Sequence, residues 1–227
     1  IIEIDYTNET NRRRFYDGAL TEKVLNFKNS RRSQAYDLSP YDETLVLDTD
    51  YIICNDILKN CFNNDSNLML FRESQDIANL RNSREFKYIS DKSIDFYWAT
   101  VIFFRKNEIN KIFFDLVDHI YDNWTYYQKL YQIESSLFRN DFAFSIAVHI
   151  MNGFSKGSFV TELPIKHLFT VDKDILWELK DDEMLFLVEK EKYLGEYTPI
   201  KTKKQNIHVM NKFSLERVID RELNNGR

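Results

Sequence analysis

A chain of 227 residues with 43% hydrophobic and 15% aromatic side chains, 18 Phe and 13 Tyr among them, has enough apolar surface to build one sizeable core, which excludes a wholly disordered protein. The formal net charge of −5, with both signs mixed along the chain, gives no basic face, so nucleic acid is not an expected partner. No apolar run reaches the ~18 residues of a membrane span and no signal-peptide pattern opens the chain, so the expectation is a cytoplasmic α/β domain over 1–227 with no transmembrane segment.

Ile1 to Asp5 reads as a strand. The polar stretch after it carries Arg12-Arg13-Arg14, read with Lys201 to Lys204 as a solvated loop, a phosphate contact being the alternative. Residues 29–36 read as a helix that Ser39-Pro40 breaks. Thr44 to Leu47, apolar and β-branched, reads as a buried strand, and 51–62 as a short helix with Cys54 and Cys61 on one face as buried thiols. From 63 to 95 Asn, Asp, Ser, Arg and Lys dominate, so this stretch reads as irregular.

Order returns at Phe96 to Phe104, too apolar for a strand that faces water on both sides. Asn107 is a good N-cap, and Ile109, Ile112, Phe113, Leu116, Val117, Ile120 and Trp124 recur at helical spacing after it. A further helix is expected from Asn140-Asp141 to Gly153, carrying Phe142, Ile146, Val148, Ile150 and Met151 inward, with Gly153 as a left-handed C′ residue. Shorter strands are expected at 158–161, 184–188 and 207–210, and a last helix at 214–223.

The chemistry concentrates where the Thr44 to Leu47 strand ends in Asp48-Thr49-Asp50. A buried strand tolerates ionised carboxylates only when a cation or hydrogen-bond donors meet them. Two carboxylates one residue apart at a strand's carboxyl end can hold a divalent metal through hard oxygen ligands, and the metal can hold a diphosphate. A strand-end turn with helix capping is the plainer reading of the same residues.

Tyr41-Asp-Glu-Thr-Leu-Val-Leu-Asp-Thr-Asp-Tyr-Ile-Ile53 resembles the Asp-x-Asp segment of GT-A-fold glycosyltransferases, especially the glycogenin-like and lipopolysaccharide-galactosyltransferase group. The aromatic strand at 96–104, the helix opened by Arg139-Asn140-Asp141 and the late Asn206-Ile-His208-Val-Met-Asn211-Lys212 segment follow in that family's order, so the resemblance spans roughly 29–215. It implies a GT-A-like, Rossmann-type mixed sheet flanked by helices and transfer of a sugar from a nucleotide-diphosphate sugar, most simply a UDP-sugar. The acceptor, whether saccharide, protein or lipid, stays open.

By position, the resemblance implies Asp48, Asp50 and His208 as metal ligands, with Asp48 also approaching the nucleotide. Carboxylate oxygens with an imidazole nitrogen suit Mn2+, with Mg2+ as the alternative. It implies Asp141 as the acidic residue at the donor sugar, Lys212 near the diphosphate, and Arg31, Arg32 and Tyr36 toward the nucleotide. Asp141 also fits an N-cap, and His208 a satisfied histidine on a half-buried strand. Trp98-Ala99-Thr100 departs from the family's small Asn-Ser-Gly-type turn, and only 47 residues precede Asp48, so the fold's N-terminal strand is expected to be trimmed away or abbreviated. A haloacid-dehalogenase-like phosphatase, with Asp181-Asp182 as its late acidic motif, and a non-catalytic nucleotide-sugar-binding module are the competing readings.

Overall fold

The computed structural model describes residues 12–26, 32–78, 87–90, 93–190 and 194–225. The expected Ile1–Asp5 strand and Arg31 lie outside the described residues. The chain is mixed α/β. Its central sheet is built on β7 (Trp98–Arg105), whose first seven residues are buried on both faces, as their apolar run requires. β3 (Glu43–Leu47) and β5 (Leu68–Phe71) flank β7, both antiparallel to it, and β8 (Thr161–Glu162) pairs parallel with β5. Three strands therefore share a direction and send their carboxyl ends to one rim of the sheet.

Two expectations change here. β3 is an edge strand of this sheet among the described residues, half-buried with Leu47 37% exposed, because β7 covers only one of its sides. The stretch expected to be irregular contains β5, all four of whose residues are buried.

Helices cover the central sheet. Asn107 caps α2 (Glu108–Asp122), its side chain accepting from Asn110 N at 2.8 Å. Phe113, Phe114, Val117 and Ile120 face the core, whereas Ile109 and Ile112 are each 58% exposed. The chain breaks at Asn123, so Trp124 starts a second short helix, α3 (Trp124–Leu130), instead of ending α2. α4 (Asn140–Met151) has no exposed face over 140–148, because α2 and β7 both pack on it and Ala143 and Ala147 allow close approach. Ile150 and Met151 are only partly buried. Gly153 takes φ +69° past the helix end, where a left-handed residue is needed.

A second sheet runs β4 (Tyr51–Ile52), β13 (Ile207–His208), β9 (His167–Phe169), β6 (Ser74–Asp76). The helix expected over 51–62 is thus replaced by a strand pairing and a 3-10 helix at Ile57–Asn63, and Cys54 is only partly buried outside that helix while Cys61 is buried within it. β13 pairs antiparallel with β4, His208 opposite Tyr51. Alternation then separates the two faces of this segment: Ile207 and Val209 enter a smaller core with Leu176, Met184, Phe186, Val188, Leu215 and Val218, while His208 faces the central sheet.

That smaller core joins the antiparallel meander β10 (Ile175–Lys180), β11 (Glu183–Glu189) and β12 (Tyr197–Lys203) to α5 (Lys212–Asn225). The Arg-rich N-terminal stretch is no loop: β1 (Arg12–Tyr16) and β2 (Glu22–Asn26) form a hairpin. Ala19 N donates to Tyr197 Oη at 2.7 Å and Arg217 on α5 pairs bidentately with Asp17 at 2.7 and 2.8 Å, so the hairpin is pinned to the C-terminal part. Gly18 sits at φ +76° in this turn, where a Cβ would meet Tyr197 Oη at 2.8 Å.

Candidate metal and phosphate centre

The site lies where β3 ends and β13 folds back. Asp48 N donates to Thr100 O at 2.8 Å, tying the strand end to β7. Tyr51 N donates to Asp48 O at 3.1 Å and closes a turn that swings Asp50 to the same side. Val209 N donates to Asp50 O at 2.9 Å, bringing His208 in from 158 positions downstream. One ligand atom each from Asp48, Asp50 and His208 fits within 4.8 Å of the others.

Asp50 is 5% exposed and its Oδ1 makes no hydrogen bond among the described residues; its near neighbour is His208 Nε2 at 3.3 Å. Burial pushes the Asp50 carboxyl up, but the imidazole and the Lys212 ammonium outweigh that and hold it down at about 2, so it stays ionised. A buried anionic oxygen without a hydrogen bond, facing an imidazole and a second carboxylate, is a donor set that fits a divalent cation. The other ring nitrogen of His208, Nδ1, lies 3.4 Å from Thr100 Oγ1, which fixes the ring's orientation from the second side.

A cation meets each carboxylate. Arg32 Nη2 lies 3.0 Å from Asp48 Oδ2, and its Nη1 donates to Ala99 O. Lys212 Nζ lies 3.5 Å from Asp50 Oδ2. Arg139 grips Asp141 Oδ2 through Nη2 at 2.6 Å and Nε at 3.1 Å. Asp141 does not cap its own helix; its Oδ1 reaches across to accept from Ala99 N at 2.9 Å on β7. Burial raises the Asp141 carboxyl, and Arg139, the Ala99 amide and Arg32 together bring it below its ordinary value. Ala99 thus joins the two groups, its N–H to Asp141 and its C=O to Arg32 and so to Asp48.

Arg13 lies in the stretch read as a solvated loop with a phosphate contact as the alternative, and its place on a hairpin is what the sequence reading missed. The hairpin carries it into the field of Arg139, Asp172, Asp141 and Asp50, and burial together with the Arg139 charge lowers its pKa. Its neighbours Arg12 and Arg14 are exposed. Strand alternation, with Phe15 buried on the same side as Arg13, was the signal that could have found it. Arg139 was visible as the first residue of Arg139-Asn140-Asp141, but its partner could be known only from the fold.

Tyr36 is corrected to a structural residue. It is buried, stacks on Phe114 with ring centroids 5.0 Å apart, donates to Asn107 O at 2.8 Å and accepts from Asn107 N at 3.0 Å. It locks the start of α2 and does not reach the acidic site. Trp98 packs edge-on to His208, 6.0 Å between ring centres, as a wall under the site. Behind it His167 is fully buried, ring-stacked on Phe71, with neither nitrogen hydrogen-bonded among the described residues; burial drives its pKa down and keeps it neutral. Asp181 and Asp182 form the β10–β11 turn, where Asp182 lies 3.9 Å from Lys204, and Lys201 and Lys203 both pair with Glu183.

No helix among the described residues is long and apolar enough to cross a membrane. Comparisons with models of known protein families, with curated proteins and with solved structures found no match to this chain.

Proposed function

We propose that this chain is a metal-dependent glycosyltransferase of GT-A-like architecture that uses a nucleotide-diphosphate sugar, most simply a UDP-sugar. The observation that carries the reading is the junction of Asp48 and Asp50 with His208, a residue from a distant strand, within 4.8 Å. The sheet supports it, because parallel strands β3 and β5 on either side of antiparallel β7 deliver their carboxyl ends, and the acidic pair, to one rim. The phosphatase reading gives no role to His208 and leaves its nucleophile, Asp48, tied to Arg32.

Asp48, Asp50 and His208 would hold the cation, Mn2+ in preference to Mg2+ because one donor is an imidazole. When bound, the metal supplies a Lewis acid to the diphosphate. Arg32, Lys212 and Arg139, each paired with one carboxylate of the site, would neutralise phosphate charge with Arg13 in the same field, and each carboxylate they release is then free for metal or sugar. Asp141, on the first turn of α4 and fixed by Ala99, would bind a donor-sugar hydroxyl once Arg139 turns to phosphate.

Calorimetry of UDP with and without Mn2+, followed by hydrolysis assays over a panel of UDP-sugars, tests this. Binding of UDP should depend on Mn2+ and be lost in Asp50→Ala with an unchanged circular dichroism spectrum. Metal-independent UDP binding, or Mn2+ binding unaltered in Asp50→Ala, overturns the reading.

A further inference from the structure

A cavity opens on the same rim, one turn of α4 away from Asp141. It has a volume of ≈ 270 Å³ and is lined by Arg72 beyond the end of β5, Tyr88, Asp95 and Tyr97 before β7, and Ser145, His149 and Asn152 on α4. Asp141, Ser145 and His149 recur every four residues, so they form one stripe of the helix, and Ser145 lies ~6 Å along the axis from Asp141. Ser145 Oγ couples the two places directly, donating to Asp141 O at 2.6 Å and accepting from Tyr97 N at 2.8 Å.

The lining is chemically specific. Of the two cations in the lining, Arg72 is paired with Asp95 at 2.7 Å and Lys156 stands on an exposed loop where water can solvate its ammonium, so neither calls for an anionic ligand. Burial lowers the His149 pKa, against the opposing pull of Asp95, leaving a neutral ring that offers one donor and one acceptor. Tyr88, 48% exposed, offers an aromatic surface with a hydroxyl at its edge. Asn152 is held in place because its Oδ1 accepts from Phe159 N at 3.0 Å, and Gly157 presses against it so closely that a Cβ there would stand 2.2 Å from that oxygen. A ligand with apolar C–H faces, many hydroxyls and no net charge matches an aromatic wall rimmed by planar donor–acceptor groups. The volume lies at the small end for ligand sites and suits a sugar unit better than a nucleotide.

We propose that this cavity is a binding site for an uncharged saccharide, and, resting on the transferase reading above, that the saccharide is the acceptor. In the transfer, an acceptor hydroxyl oxygen forms a bond to the donor's anomeric carbon as the bond from that carbon to the diphosphate oxygen breaks. The electron pair leaves on the nucleoside diphosphate, and the hydroxyl proton passes to the departing phosphate oxygen. His149, on the same helix stripe as Asp141 and partly exposed, holds the acceptor beside the donor sugar.

The test is saturation-transfer NMR with methyl β-galactopyranoside, methyl α-glucopyranoside and N-acetylglucosamine, on the metal-free protein and on Tyr88→Ala and Gly157→Ala. At least one glycoside should bind, and both variants should weaken it at least tenfold, the first by removing the aromatic wall and the second by forcing the Asn152 amide out of its bond to Phe159 N and out of its place in the lining. UDP binding with Mn2+ should change less than twofold in each. Glycoside binding that neither variant alters, or no binding by any of the three, overturns the proposal. Glycoside binding that is sensitive to both variants in a protein that does not bind UDP with Mn2+ upholds the saccharide site and overturns its role as acceptor.

Discussion

Lys212→Ala separates the two tasks assigned to the cations around Asp48 and Asp50. Lys212 Nζ stands 3.5 Å from Asp50 Oδ2, where a metal would have to compete with it. At that distance the attraction is about 1.2 kcal/mol with bulk-water screening and about 5 kcal/mol at an effective dielectric of ~20. The lysine side chain is 52% exposed, which places the pair at the low end, about 1 kcal/mol. Removing the competitor should therefore tighten binding of Mn2+ alone by about fivefold. The same substitution deletes a charged phosphate contact worth ~1.5–3 kcal/mol, so UDP in saturating Mn2+ should bind roughly 10- to 100-fold more weakly. One variant moves two affinities in opposite directions.

Isothermal titration of Mn2+ into the free protein and of UDP into the Mn2+-loaded protein reads both changes, and Lys212→Arg should restore the second. In the unsubstituted protein the exchange of Lys212 and Arg32 from carboxylate to phosphate also requires that UDP raise Mn2+ affinity by the factor by which Mn2+ raises UDP affinity. Weaker binding of Mn2+ alone to Lys212→Ala would show that the lysine supports the Asp50 carboxylate and does not compete for it, which refutes the reasoning.

Asp141→Asn keeps the shape that accepts from Ala99 but leaves Arg139 without its carboxylate, so turnover should fall more than UDP affinity; equal losses would mark a structural residue. Because the folded Asp141 pKa lies below its ordinary value, the stability it contributes is complete above the unfolded carboxyl pKa of ~3.9 and is lost as pH falls from there through the lowered value, so the gap in urea midpoint between wild type and Asp141→Asn should narrow from pH 6 to pH 3. Arg13→Ala should weaken UDP binding about tenfold while exposed Arg12→Ala leaves it within twofold, and similar losses in both would mean a diffuse field in place of a directed contact. Tyr36→Phe removes both hydroxyl bonds to Asn107 and should cost ~1–2 kcal/mol in urea denaturation with UDP affinity unchanged; a loss of UDP affinity would return Tyr36 to the site.

The sequence carried the parts of this fold that depend on local pattern. β7 was legible because seven consecutive buried residues leave no other placement for an aromatic run, and α2 because Phe113, Val117 and Ile120 repeat on one face. Pattern also misled. Ile109 and Ile112 share the helical spacing but lie beyond the sheet's cover, and β3 has the composition of a central strand while standing at an edge. Leu68 to Phe71 was lost in polar surroundings because a four-residue strand buried on both faces has no alternation to display. Tyr51–Ile52 was assigned to a helix because its strand character comes only from pairing with Ile207–His208, far away in the chain.

The candidate site divides along the same line. Asp48, Asp50 and His208 could be named because carboxylates at the end of an apolar run and a histidine on a short strand each conflict with their local surroundings, and that conflict is readable in one dimension. Arg13 and Arg139 conflict with nothing locally: an arginine on a hairpin or before a helix is at ease in water. Their part follows only from convergence, since four cations drawn from β1, the turn before α1 (Ala35–Leu38), the residue before α4 and the start of α5 meet three carboxylates from two segments. The pairs Arg32–Asp48, Lys212–Asp50 and Arg139–Asp141 are balanced when empty, and Arg13 adds one positive charge to their field. A divalent metal adds positive charge to it and a diphosphate adds negative charge, so each ligand alone upsets the balance that the two together restore, and coupled binding of the pair follows from the charges that the fold collects.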